Sequence, residues 1–156
     1  MAGAINSMVR SNRDAALCLQ SHGATACTDV TGFGLLGHLV EMIKASGVSA
    51  ELVLDAIPPL PGAVELCERG IFSSLQPANL RLKRAVSNEA AALNHRMYPL
   101  LFDPQTAGGL LSSVPAEQAE ECVAQLIALG YEKTATVGTV TGITAGSAAG
   151  SVTCIV

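Results

Sequence analysis

The stretch Thr28-Asp-Val-Thr-Gly-Phe-Gly-Leu-Leu-Gly-His-Leu39 decides the reading of this chain. It holds three glycines at the start of an apolar helical pattern. Read mechanically, Gly32, Gly34 and Gly37 make a G-x-G-x-x-G string, and the next strand ends at Asp55, where a ribose-binding acid would fall. A dinucleotide site needs a buried apolar strand running straight into the first glycine. Here the approach is Cys-Thr-Asp-Val-Thr, which is polar, and the chain lacks the strand–helix alternation of a doubly wound sheet. The loop chemistry survives without that fold. Glycines at a helix start let N–H groups of Gly32 and Gly34 approach an anion, and the helix dipole favours it. Thr28 and Thr31 offer hydroxyls, and Asp29 can cap the helix or hold a metal beside phosphates. The bland reading is a tight turn with close helix packing.

A second loop has the same character: Asp103-Pro-Gln-Thr-Ala-Gly-Gly109. Asp103 and Thr106 supply an anionic ligand and a hydroxyl, and Gly108 and Gly109 allow a nest of N–H groups. Asp-Pro followed by two glycines also makes an ordinary turn. Two such loops in one chain favour a shared polar site over either loop alone.

Outward from these loops the chain reads as alternating elements. Helical spacing marks 4–20, 33–46, 62–69, 87–101 and 117–129, several of them stopped by glycine. Strand patterns cover 24–30, 48–54, 110–114, 134–140 and 152–156. The last two strands are joined directly through a Gly/Ser/Ala-rich loop at 142–150 and are expected to pair as an antiparallel hairpin. Residues 72–84 read as an irregular loop of the kind that often carries function. The expected class is α/β: a mixed, largely antiparallel sheet of about four strands backed by helices.

Composition narrows the function. The 156 residues are one domain's worth of chain, able to bury roughly 68–70% of the unfolded surface. They are 49% hydrophobic and 14% charged, against about 25% charged in average proteins. The charge shortage points to surface covered by a partner or a further domain. A net charge of −4, with no basic cluster beyond Arg81, Lys83 and Arg84, disfavours nucleic acid. No apolar run is long enough to span a membrane, and no signal peptide is evident. Five cysteines without a C-x-x-C spacing argue against a disulfide framework or a zinc site and for a reducing compartment. Cys27 is expected to be a small buried residue, His38 a core histidine one turn after Gly34, His22 a helix-end residue and His95 a solvated one.

The two loops together, Thr28–Leu39 and Asp103-Pro-Gln-Thr-Ala-Gly-Gly-Leu-Leu111, resemble the C-terminal domain of the selenophosphate synthetases (selenide, water dikinases) of the aminoimidazole ribonucleotide synthetase-like superfamily. Met8-Val-Arg-Ser-Asn12 is similar to the helix leading into that domain, Ile57-Pro-Pro-Leu-Pro61 to its proline segment, and Asn79 to a polar position of its middle loop. Ala107 departs from the family's usual Ser. The resemblance implies an α/β sandwich with a linking helix over 1–22 and a C-terminal domain over 23–156. It implies a parent enzyme, cytoplasmic and homodimeric, that makes selenophosphate from selenide, ATP and water, releasing AMP and phosphate, with Mg²⁺. The reactive Cys or selenocysteine and the essential Lys belong to an N-terminal domain absent from this sequence. The chain alone is therefore expected to be inactive, to need that domain as partner and to hold no cofactor tightly. The residues expected near phosphate are Thr28, Asp29, Thr31, Gly32 and Gly34, then Asp103, Thr106, Gly108 and Gly109. Relatives acting on purine or thiamine precursors, and a non-catalytic binding module, are the competing readings.

Overall fold

A computed structural model describes residues 2–143 and 149–156. The elements run α1 (Ala2–Met8), α2 (Arg13–Ser21), β1 (Ala26–Asp29), α3 (Gly34–Ala45), β2 (Ser49–Val53), α4 (Ala63–Glu68), α5 (Gln76–Asn79), α6 (Glu89–Ala92), β3 (Leu110–Ser113), α7 (Ala116–Ala128), β4 (Gly138–Thr141) and β5 (Val152–Ile155). Short 3₁₀ turns occupy Leu54–Ala56, Leu80–Ala85 and Tyr98–Phe102.

The mixed α/β class holds. The strands form two small sheets rather than one of about four strands: β1 pairs antiparallel with β3, and β2 lies between β4 and β5. The expected β4–β5 hairpin does not form. β2 inserts between them, antiparallel to β4 and parallel to β5. Direct connection makes pairing the default, but the apolar positions Ala50 and Leu52 are almost fully buried, and flanking β2 on both sides buries it best. The core of the 142–150 loop lies outside the described residues.

The helix expected over 4–20 divides into α1 and α2, with Asn12 at the N-cap of the second. The one expected over 87–101 divides too. Pro99 lacks an N–H and falls in the first turn of the 3₁₀ segment that follows α6. By contrast α3 and α7 keep the expected amphipathic spacing. In α3, Leu36, Leu39, Val40 and Ile43 are buried against Leu52, Leu54, Leu101, Phe102, Val152 and Cys154. Each such side chain is worth about 1.5–3 kcal/mol of transfer free energy. A second, smaller core joins α2 to α7 through Ala15, Cys18, Leu19, Cys122 and Leu126.

β1 and β3 carry the two glycine loops at adjacent ends. Asp29 pairs with Leu110, and the ladder runs on through Val30 N–H donating to Gly109 O at 2.9 Å. This register brings residues 28–34 against 103–109. It also shows why no dinucleotide fold forms: the strand after α3 joins the other sheet, not β1.

Candidate functional site

The first loop is held from inside. Gly34 sits at φ +70°, and a Cβ there would lie 2.9 Å from Leu101 O and 3.0 Å from Asp103 O. Only glycine combines that backbone with that approach. Its N–H donates to Thr31 O at 3.1 Å, closing the turn that starts α3. This departs from the expectation that the Gly34 N–H faces an anion. Thr31 N–H donates to His38 Nε2 at 3.0 Å, and the Thr31 hydroxyl lies 3.1 Å from the same nitrogen. A ring nitrogen that accepts an N–H carries no proton, so the proton of His38 sits on Nδ1, 3.7 Å from Glu41 Oε2. His38 is buried, as a core histidine should be, and it also positions the loop.

Asn79 ties the loop to its neighbour. It is buried, and its Nδ2 donates to Gly32 O at 2.8 Å and to Phe102 O at 3.1 Å. Gln105 N–H then donates to Thr31 O at 2.9 Å, which docks the second loop on the first. Gly108 allows this closeness: a Cβ there would overlap Val30 O. Gly108 and Gly109 do not adopt positive φ, contrary to the turn reading. Asn12 Nδ2 donates to Gly108 O at 3.0 Å, so the junction of α1 and α2 also grips the second loop. Among the described residues, the N–H groups of Thr106, Ala107 and Gly108 have no hydrogen-bond partner. Thr106 and Ala107 are exposed.

The carboxylates differ. Asp29 is exposed at the end of β1. Asp103 is half-buried, and burial pushes its carboxyl above the usual carboxylate range, partly offset by Gln105 Nε2 donating to its Oδ2 at 3.1 Å. Strand alternation places Thr28 and Asp29 on opposite faces, the first half-buried and the second exposed. They therefore do not face one ligand together. Cys27 shares the exposed face with Asp29, contrary to the expected burial. A cavity of about 1800 Å³ is lined by residues from both sheets and by Asp103, Thr106, Gly108 and Gly109, but not by Thr28, Asp29 or Thr31.

One family model, described as AIR synthase related protein, C-terminal domain, matches residues 4–149. The chain belongs to that family. It is 42% identical to a selenide, water dikinase of Pelobacter propionicus over 136 residues, 87% of this chain and 39% of that protein. A selenide, water dikinase of Clostridioides difficile is 36% identical over 136 residues, with the same shares. The chain thus spans about two fifths of the length of these curated relatives. The crystal structure of hydrogenase maturation protein HypE matches 94% of the chain and 39% of its own, with a TM-score of 0.58 and 21% identity, a likeness of fold. The family resemblance carried by the two glycine loops is borne out.

In this AIR-synthase-type domain the residues that hold the loops were harder to see than the loops themselves. Asn12 and Gln105 fall inside the quoted stretches, but only the topology reveals their partners. Asn79 was visible as a polar position, without its two bonds. His95 is not solvated: its side chain is 17% exposed and its Nε2 lies 3.3 Å from Asp55 Oδ1. His22 ends α2, as expected. Arg81, Lys83 and Arg84 are exposed, and Lys83 pairs with Glu89 at 3.4 Å.

Proposed function

We propose that this domain is the C-terminal part of a selenide, water dikinase, which converts selenide, ATP and water into selenophosphate, AMP and phosphate. The docking of 103–109 onto 29–34 through Gln105 N–H and Thr31 O carries the reading, because it leaves three consecutive N–H groups free beside an open cavity. Such groups stabilise phosphate oxygens by directed hydrogen bonds in a fixed geometry, without reorganising as charge shifts. Thr106 adds a hydroxyl, and the exposed Asp29 and Gly32 stand at the edge of the same junction. The supporting similarity is the 36–42% identity to selenide, water dikinases over most of the chain. ATP is the phosphoryl donor in this reading, and the cytoplasm, which supplies it, is the compartment.

These loops do not form an all-protein cage for Mg²⁺; they offer it at most the carboxylates of Asp29 and Asp103. Magnesium needs several hard oxygens in octahedral array. Asp103 has its Oδ2 engaged by Gln105, Asp29 projects from the other strand, and among the described residues no group of three acidic or histidine ligands gathers here. A Mg²⁺ beside the phosphates would take one or two carboxylates, with Asp29 and Asp103 as this chain's candidates, and fill its other positions with water and phosphate oxygens. The part of the relatives' length that this chain does not span is the proposed partner surface. Exposed Val9, Leu17, Phe33 and Leu75 are apolar surface of the kind such contacts would cover. The parent is proposed to be a homodimer.

A chimera tests the reading. The matching segment of the Pelobacter propionicus enzyme is replaced by this chain, and selenophosphate is followed by phosphorus NMR. Selenophosphate formation supports it. A folded chimera that binds ATP but makes none overturns it. The isolated chain is expected to hydrolyse no ATP with selenide and Mg²⁺.

A further inference from the structure

Far from the glycine loops, the smaller core contains three soft ligands. Cys18 and His22 lie one turn apart on α2, and Cys122 faces them from α7. Their ligand atoms all fall within 4.8 Å of one another, and the residues are 5%, 7% and 2% exposed. Cys18 Sγ lies 3.8 Å from His22 Nδ1. The surroundings are apolar: Ala15, Leu19, Leu126, Ala24 and Val114.

We infer that Cys18, His22 and Cys122 form a binding site for a borderline-soft divalent cation of the zinc class, pinning α2 to α7. Thiolate sulfur and imidazole nitrogen are the donors this class prefers, at about 2.3 Å and about 2.0–2.1 Å. Tetrahedral coordination therefore asks the donor atoms to draw in by about an ångström. Charge balance favours the bound state. Two thiolates in an apolar pocket are costly without a counter-charge. With a divalent cation the cluster is neutral. Binding releases two protons, one from each thiol. The imidazole stays neutral: its proton moves from Nδ1, which lies 2.8 Å from Cys18 O, to Nε2, and the Nδ1 lone pair takes the metal. Cys18 O keeps a donor, because the Ser21 hydroxyl bonds it at 2.7 Å. A water or other small ligand completes the fourth position. The inference departs from the sequence expectation, which relied on short Cys spacings; here the third ligand comes from a distant helix.

The test uses the whole chain, reduced and metal-free, titrated with Co²⁺ as a spectroscopic stand-in and then with Zn²⁺. The expected result is one equivalent bound, a near-ultraviolet thiolate-to-cobalt band with tetrahedral visible bands, and their loss as Zn²⁺ displaces Co²⁺. Zn²⁺ is also expected to raise the melting temperature. Cys27→Ser and Cys67→Ser should keep the bands, and Cys18→Ser and Cys122→Ser should lose them. Absence of a thiolate band in the unmutated chain overturns the inference without reliance on any variant folding. Bands that persist in both Cys18→Ser and Cys122→Ser overturn it as well.

Discussion

The two glycine loops have similar composition and unlike bonding. In the first, the N–H groups of Val30, Thr31 and Gly34 already have partners in Gly109 O, His38 Nε2 and Thr31 O. In the second, the carbonyls of Gly108 and Gly109 are engaged while the N–H groups of Thr106, Ala107 and Gly108 are free among the described residues. A run of Thr, Asp and Gly therefore does not by itself make an anion nest. The first loop spends most of these groups on its own shape and becomes the seat, although the N–H groups of Gly32 and Phe33 also have no partner among the described residues. The second rests on that seat and presents donors outward.

The sharpest way to break this comparison is to add a methyl group to each loop. Gly34→Ala meets both a positive φ and the backbone oxygens of Leu101 and Asp103, and should cost about 2–4 kcal/mol in urea unfolding. Gly109→Ala has open space and an ordinary φ, and should stay within about 0.5 kcal/mol. Equal losses at the two positions would erase the distinction. Next comes the tie between the loops. Asn79→Ala strands Gly32 O and Phe102 O, and should cost about 2–3 kcal/mol in the same measurement.

A smaller effect concerns pH. The carboxyl of Asp103 is raised in the fold, so the folded state holds its proton more tightly than the unfolded chain. Its contribution to stability is complete below the ordinary carboxylate range and is lost as pH rises through the raised value. Asp103→Asn should therefore flatten the stability profile across the mildly acidic range, read from melting temperatures. A steeper profile would reverse the assignment. The smallest effect on stability is expected at the exposed lip: Thr106→Val should change it by less than about 0.5 kcal/mol while lowering selenophosphate formation in the chimera. Unchanged kinetics would leave the second loop a purely structural turn.

Much of this was legible. α3 and α7 announced themselves by apolar spacing and by the glycines that stop them, and both loops stood out by composition. What was hidden depended on contacts between distant residues. Cys27 was misplaced because exposure in β1 follows the pleat, not residue type. β4 and β5 were paired because they are neighbours in sequence, whereas β2 claims a place between them. The Gly34 N–H was expected to be free because a sequence lists donors without their acceptors. Cys18, His22 and Cys122 were scattered singletons until α7 packed on α2.

The pairing of β1 with β3 also has a consequence in time. Ala26 O accepts from the Ser112 hydroxyl, 86 residues further along the chain. Contacts of such span form slowly, because a large loop must close before they return any free energy. During synthesis the first loop leaves the ribosome well before its mate. The candidate site thus has no early, half-built form, and it arises only once the segment from the first loop through β3 is free to fold.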